Sequence, residues 1–379
     1  MTVHWCGTGL SSVPGLRRLI ENGHDVAVWN RSLDKAEKAV GDLTDRINTF
    51  DKDKLGAEIG AGDIVVSMLP GDWHVPLAET CIESGAHFVS SSYVSPEMAA
   101  LDNKARDAGV ALVNEVGLDP GIDHLMAHWL VDDYRRSRGY DGANVVSFIS
   151  FCGGVPKHSN AFRYKFSWSP LGVLKALRAP SRSIRAFSEL SVKRPWDAIS
   201  EYVAPLPVPE SFEVYPNRDS LPFISQYRFD PNWKIKEFVR GTLRLNGWAE
   251  AWKDVFAEIE TLEGPEGETR LREMSEQFWA ENAYEEGEPD RVVLCVSLKA
   301  ERDGIPVYHK TYTLDAWGDL RGSAMARLVS TPVALAVESL QLREFPAGVN
   351  AATSDDKLIA RWMGEIDRQA QHLEIVDHI

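Results

Sequence analysis

Two glycines one residue apart, Gly7 and Gly9 in "VHWCGTGLSSVPGL" (Val3–Leu16), stand directly after a short apolar run and directly before a helical pattern. A backbone without side chains turns tightly there and comes close to a diphosphate held by the N–H groups of the following helix. The loop from Gly7 and Gly9 through Leu10, Ser11 and Ser12 is therefore the expected dinucleotide cradle, with Ser12 as the third small residue that lets helix and strand pack. A plain turn is the competing reading of an isolated GxGxxS, and the flanking sequence argues against it. Thr2–Cys6 reads as a strand, Ser11–Asn22 as a helix stopped by Gly23, and Asp25–Asn30 as a second strand, the order of a parallel βαβ unit.

The alternation goes on through the first hundred residues. "LDKAEKAV" is helical, "DIVVSMLP" is a buried strand ended by Pro70, "WHVPLAETCIESG" is a helix with Pro76 in its first turn, and "AHFVSSS" is a strand. A helix with Ser95 as N-cap and Pro96 at its first position follows, then the strand "VALVNEVG". The predicted fold class is α/β, a Rossmann-type doubly wound parallel sheet whose ligands gather at the carboxyl ends of the strands. Leu69 and Pro70, at one such end, are further candidate cofactor contacts.

The second strand ends in "WNRS", where NAD-binding domains usually carry a carboxylate for the ribose hydroxyl. Asn30, Arg31 and Ser32 offer a cation and two neutral polar groups instead, which favours NADP(H) over NAD(H). The alternative is that Arg31 is a solvated charge and Ser32 only caps the next helix.

At 379 residues the chain exceeds one ordinary domain of about 100–200 residues. After Gly139 the texture changes to long strands and aromatic-rich loops, including the hairpin "RVVLCVSLKAERDGIPVYHKTYTLD" with Asp303–Gly304 at its turn. The expected division is a dinucleotide-binding domain at 1–120, an α+β substrate and dimerisation domain at 121–322, and C-terminal helices at 323–379 that return to the first domain. "ANVVSFISFCGG" reads as a strand closed by its glycines, and "REFPAGVNAAT" as a loop. A net charge of −15 opposes binding to nucleic acid or to an anionic membrane surface, so a small-molecule substrate is expected. No apolar run approaches the ~20 residues of a membrane span, and no secretory leader is recognisable. Cys6, Cys81, Cys152 and Cys295 show no CxxC spacing, which points to a cytoplasmic setting.

"SSYVSPEM" (Ser91–Met98), "NEVGLDPGIDHLMA" (Asn114–Ala127), "FCGGVP" (Phe151–Pro156), "YKFSWSPLGVL" (Tyr164–Leu174), "YPNRDS" (Tyr215–Ser220) and "RGTLRLNGW" (Arg240–Trp248) together resemble the glutamate-forming saccharopine dehydrogenases. The resemblance runs nearly the whole chain in order. It departs at "NAFRYKFSW", where Ala161 and Arg163 stand for the family's Pro and Gly. It implies that NADPH reduces the imine formed between glutamate and aminoadipate semialdehyde, giving saccharopine, or the reverse. A homodimer is also implied.

Such a substrate carries three carboxylates and two nitrogens, and arginine is the residue whose fork matches a carboxylate. Arg218 is the first candidate and Arg244 the second, each with an alternative as a surface pair, with Asp219 or Glu250. Asp119 is a candidate for the substrate amine and Tyr93 for a carboxylate, while Asp123 equally suits the dipole of the helix it begins. By resemblance, Cys152, Thr242, Lys165 and Trp168 are placed at the substrate, the two last as a wall or else as core. His124 and His128 are four apart, yet Leu125 stands where a zincin needs Glu, so no metal is assigned. No acid–base residue is assigned. Two other readings stay open: a related C=N reductase of the carboxynorspermidine synthase or lysine dehydrogenase type, and a catalytically silent nucleotide-binding protein.

Overall fold

The structure, a computed structural model, describes residues 1–379. In chain order the elements are β1 Val3–Cys6, α1 Val13–Glu21, β2 Val26–Asn30, α2 Leu33–Val40, β3 Ile47–Thr49, α3 Lys52–Glu58, β4 Ile64–Ser67, α4 His74–Ser84, β5 His87–Ser90, α5 Pro96–Ala99, α6 Asp102–Asp107, β6 Ala111–Val113 and α7 Ile122–Arg136. There follow β7 Val145–Pro156, α8 Pro170–Arg178, β8 Ser181–Arg185, β9 Ser188–Val192, β10 Ser200–Ala204, β11 Glu210–Pro216, α9 Pro222–Gln226, β12 Lys234–Leu245, α10 Trp248–Ala251, α11 Lys253–Thr261 and α12 Gly264–Asn282. The chain closes with β13 Asp290–Arg302, β14 Ile305–Trp317, α13 Ala324–Gln341, β15 Gly348–Asn350, α14 Asp356–Asp367 and β16 His372–Asp377. Two compact units result, Met1–Leu125 with Ala326–Gln369, and Met126–Met325 with Ala370–Ile379.

In the first unit seven strands run in the order β15-β6-β5-β4-β1-β2-β3, every pairing parallel. Sequence order reverses at β1, which lies between β2 and β4, and that switch point is where an open α/β sheet offers its crevice. β1 and β4 are buried at every position, as strands covered on both faces must be. The pair β3 and α3 is too short and polar to stand out in the sequence. β15 falls in the segment read as a loop; it gains strand form only by pairing with β6, Gly348 to Ala111 through Asn350 to Val113.

The sheet of the second unit runs β10-β11-β12-β7-β13-β14-β16, with β8 pairing with β12 and β9 with β8. Its centre, β12 on β7, is parallel and the neighbours are antiparallel. β7 does not stop at its glycines: β13 pairs with it past them, Gly154 to Val292 and Pro156 to Asp290. The hairpin of β13 and β14 turns at Asp303 and Gly304, whose φ of 52° and 79° make the left-handed pair that twists with the strands. The tail read as helices to the end also contains β16, which adds to β14 of the second sheet. Alternation divides the residues of this sheet by face. Phe151, Phe212, Val214, Val239, Leu243, Val293 and Cys295 form an apolar core on one side, and Arg240, Thr242 and Arg244 of β12 lie on the other.

Candidate functional site

The glycine loop sits at the switch point. Gly7 has φ 102°, and a Cβ there would stand 2.8 Å from the Met68 carbonyl oxygen and 3.3 Å from the Leu69 side chain. Leu69 therefore lies against the loop, with Pro70 the residue after it. The space over Gly9 is open, Leu10 is exposed, and Ser11 is half-buried. Ser12 does something other than yield space. Its hydroxyl donates to the Gly7 carbonyl at 2.7 Å and accepts from the Trp5 indole at 2.8 Å, so it laces the loop to β1. Close packing falls to Gly15, where a Cβ would lie 2.0 Å from the Ser330 carbonyl of α13.

The residues present fit a dinucleotide. The Thr8 hydroxyl in the middle of the loop is buried without a hydrogen-bond partner, and an open backbone face stands next to it at Gly9. Asn30 braces the loop, its Oδ1 accepting from Thr8 N at 3.1 Å and its Nδ2 donating to the Ser32 carbonyl at 2.7 Å. Ser32 caps α2, accepting from Lys35 N. Arg31, exposed between them, makes no ion pair, which leaves its guanidinium available for a 2′-phosphate.

At the ends of β5 and β6 a second cluster forms. The Tyr93 hydroxyl donates to Asp119 Oδ1 at 2.9 Å. Glu115, at φ 57°, donates its N–H to the Ser92 carbonyl and accepts from Val94 N at 3.0 Å. Its other carboxylate oxygen lies 3.2 Å from His124 Nε2, and Asp123 accepts from Gly121 N at 2.7 Å. His128 packs edge-on against Tyr227. His74 bridges two hydroxyls, Ser67 Oγ at Nδ1 and Ser92 Oγ at Nε2, both at 2.9 Å. Burial lowers its pKa to about 4, so the ring is neutral near neutrality.

In the second unit, register puts Cys152 of β7 opposite Thr242 of β12, with Ser150 opposite Arg240. Tyr215 of β11 faces Thr242 from the other side. Arg240, Thr242 and Arg244 thus project from one face of β12 at alternate positions, about 7 Å apart along the strand. Arg244 is 5 % exposed, with its guanidinium 4.7 Å from the Tyr164 ring centre, 5.4 Å from Trp248 and 5.7 Å from Tyr215. Its Nε has no partner and its Nη1 reaches only the Leu243 carbonyl at 3.3 Å. The facing Glu213 is engaged by Gly247 N and Ala249 N, and Glu250 pairs with Lys253. Burial raises the Tyr215 hydroxyl pKa, which the Arg244 charge holds back.

Arg218 stands at φ 56° beside this face: Asn217 N donates to the Arg240 carbonyl, and Asp219 pairs with Arg182, not with Arg218. Lys165 is tied to Glu288 at 2.5 Å, so it carries less free charge than a carboxylate clamp needs. Trp168 is 36 % exposed and lies over Gly172. Thr8, His74, Ser92, Glu115, Arg240 and Tyr215 are the site residues that sequence reasoning missed. Only the alternation Arg-x-Thr-x-Arg in β12 carried a legible sign.

A doubly wound parallel sheet with a glycine-loop crevice and no acidic residue closing β2, followed in the chain by a mixed-sheet unit bearing a buried arginine, defines a two-unit protein with a Rossmann-type dinucleotide-binding fold. The chain belongs to the saccharopine dehydrogenase family: residues 3–113 match the saccharopine dehydrogenase NADP binding domain and residues 117–370 the saccharopine dehydrogenase C-terminal domain. Its cofactor is accordingly NADP(H). It is 35 % identical over 252 residues to saccharopine dehydrogenase [NADP(+), L-glutamate-forming] of Pyricularia oryzae, covering 64 % of this chain and 54 % of that one. With the mitochondrial alpha-aminoadipic semialdehyde synthase of Bos taurus it shares 28 % over 364 residues, 76 % of this chain and 38 % of that one. Among solved structures it matches apo saccharopine dehydrogenase (L-Glu forming) from Saccharomyces cerevisiae at TM-score 0.81 and 25 % identity, over the whole of both chains. The chain spans about half, or less, of the length of these curated relatives.

Proposed function

We propose that the protein is an NADP-dependent saccharopine dehydrogenase of the L-glutamate-forming type. It would convert saccharopine, water and NADP⁺ to L-glutamate, aminoadipate semialdehyde, NADPH and a proton, or run this in reverse. The observation that carries the reading is Arg244, a buried guanidinium with no acidic partner, boxed by aromatic rings beside Thr242 and Cys152. A buried cation left without a counter-charge is costly, and a substrate carboxylate supplies one. Arg240, two alternate positions along the same face of β12, and Arg218, whose neighbour Asn217 bonds the Arg240 carbonyl, are proposed as further cations for a substrate with three carboxylates. NADP(H), when bound, supplies or accepts the hydride. Tyr93 and Asp119 are proposed to hold the substrate's polar atoms at the ends of β5 and β6, with Asp119 accepting from the amine. Lys165 and Trp168 are proposed as wall residues, and the proton on the imine nitrogen is assigned to substrate groups or water.

The test is the absorbance of reduced cofactor with saccharopine and NADP⁺, against carboxynorspermidine and lysine as controls. Turnover of saccharopine is expected; turnover of a control alone would transfer the protein to a neighbouring activity, and cofactor binding without any turnover would make it a silent nucleotide-binding protein. We also propose a homodimer, to be checked by sedimentation equilibrium, and a cytoplasmic location, which suits four cysteines that are all buried and in no disulfide.

A further inference from the structure

We infer that His74 is a positioning residue: its ring joins the end of β4, which carries the cofactor contacts Leu69 and Pro70, to the segment after β5 that presents Tyr93. The inference rests on the proposed roles of those residues. Ser67 and Ser90 are partners in register at the ends of β4 and β5, and beyond them the two chains diverge into separate loops. Parallel ladder bonds stop there, so something else must fix how far Tyr93 stands from Leu69. His74, the first residue of α4, fills that place with both ring nitrogens engaged, Nδ1 on Ser67 Oγ and Nε2 on Ser92 Oγ.

The ring is buried and uncharged, so one nitrogen carries the proton and the other accepts; each serine hydroxyl donates or accepts to suit. Ser92 is the focus of the whole cluster. Its N–H donates to Ser90 Oγ at 3.0 Å, its carbonyl accepts from Glu115 N at 3.0 Å, and its neighbour Tyr93 binds Asp119. Releasing Ser92 Oγ therefore loosens the Tyr93 segment and leaves the glycine loop, held by Ser12 and Asn30, in place.

A histidine that merely fills core volume would behave otherwise, and three variants separate the two cases. In His74→Leu both bonds are lost. In His74→Asn the amide reaches Ser67 only, and in His74→Gln it extends to the position of Nε2 and restores the bond to Ser92. Expected in Leu and Asn is an increase of about tenfold in amide hydrogen exchange of residues 91–94, the effect of one lost hydrogen bond, with Gln close to wild type. The KM for saccharopine should rise by a similar factor in Leu and Asn with kcat within about threefold, and Gln should rescue it. Equal exchange in Asn and Gln, or no change in Leu, overturns the inference. Exchange needs no turnover, so a wild-type protein inactive on saccharopine would retire the proposed substrate while the exchange result still decides the role of His74.

Discussion

At the scale of single residues the glycine loop separates two jobs that its sequence presents together. Gly9 opens onto free space and Gly15 onto the Ser330 carbonyl, so alanine at the two sites should fail in different ways. Gly15→Ala is expected to cost about 3 kcal/mol in chemical denaturation, since the new methyl overlaps backbone that has nowhere to go. Gly9→Ala should leave that midpoint nearly unmoved and weaken NADPH instead, measured by quenching of protein fluorescence. Arg31 gives a second residue-scale expectation. Arg31→Ala should weaken NADPH by about tenfold to a hundredfold, the worth of a charge-assisted contact to phosphate, and leave NADH unchanged. Equal losses for both would remove the case for 2′-phosphate recognition. The pair Gly7 and Gly9 was readable because a sharp turn demands a particular residue type. Ser12 was readable as small, but its bonds to Gly7 and Trp5 depend on neighbours that only folding supplies.

At the scale of elements, β12 is the part of the second unit that matters most. A strand sends alternate side chains to opposite faces, so Arg240, Thr242 and Arg244 share one face while Val239 and Leu243 enter the core. Arg244→Lys keeps the charge but removes the planar fork that stacks among Tyr164, Trp248 and Tyr215. It should raise the KM for saccharopine by about a hundredfold, roughly a charge-assisted pair, with the affinity for NADPH unaltered. An unaltered KM would take Arg244 out of the substrate site. Elements with a strong internal pattern, such as α2 and the hairpin of β13 and β14, stood where the sequence put them. β15 and β16 did not announce themselves, because each is held by a partner strand distant in the chain and by little of its own.

For the whole molecule the clearest expectation concerns acid. His74 and His309 both have their pKa lowered to about 4 by burial, below the 6.5 of the unfolded chain; for His309 the nearby His378 adds to this, and for His74 the negative Asp72 opposes it. Below pH 6.5 the unfolded chain takes up protons that the folded chain refuses, so stability falls as pH drops from about 6.5 to 4. His74, the better buried, accounts for roughly 3 kcal/mol at most across that window. Urea midpoints should therefore decline from pH 6.5 downward, before the carboxylates begin to titrate, and His74→Gln should flatten the decline. A midpoint constant over that range would show that these rings are hydrated in the folded protein.

The sequence by itself determined the doubly wound first unit, the glycine loop after β1 and the absence of a carboxylate at the end of β2. Those features rest on local rules: an apolar run of strand length, a turn that only glycine makes, a cap, a charge at a fixed offset. Tertiary structure alone decided that Glu213 faces Arg244 yet is occupied elsewhere, that Lys165 is neutralised by Glu288, and that His74 joins two serines. Residues 31, 123 and 25 positions apart meet there. Such meetings depend on register and packing, quantities that no stretch of neighbouring residues encodes.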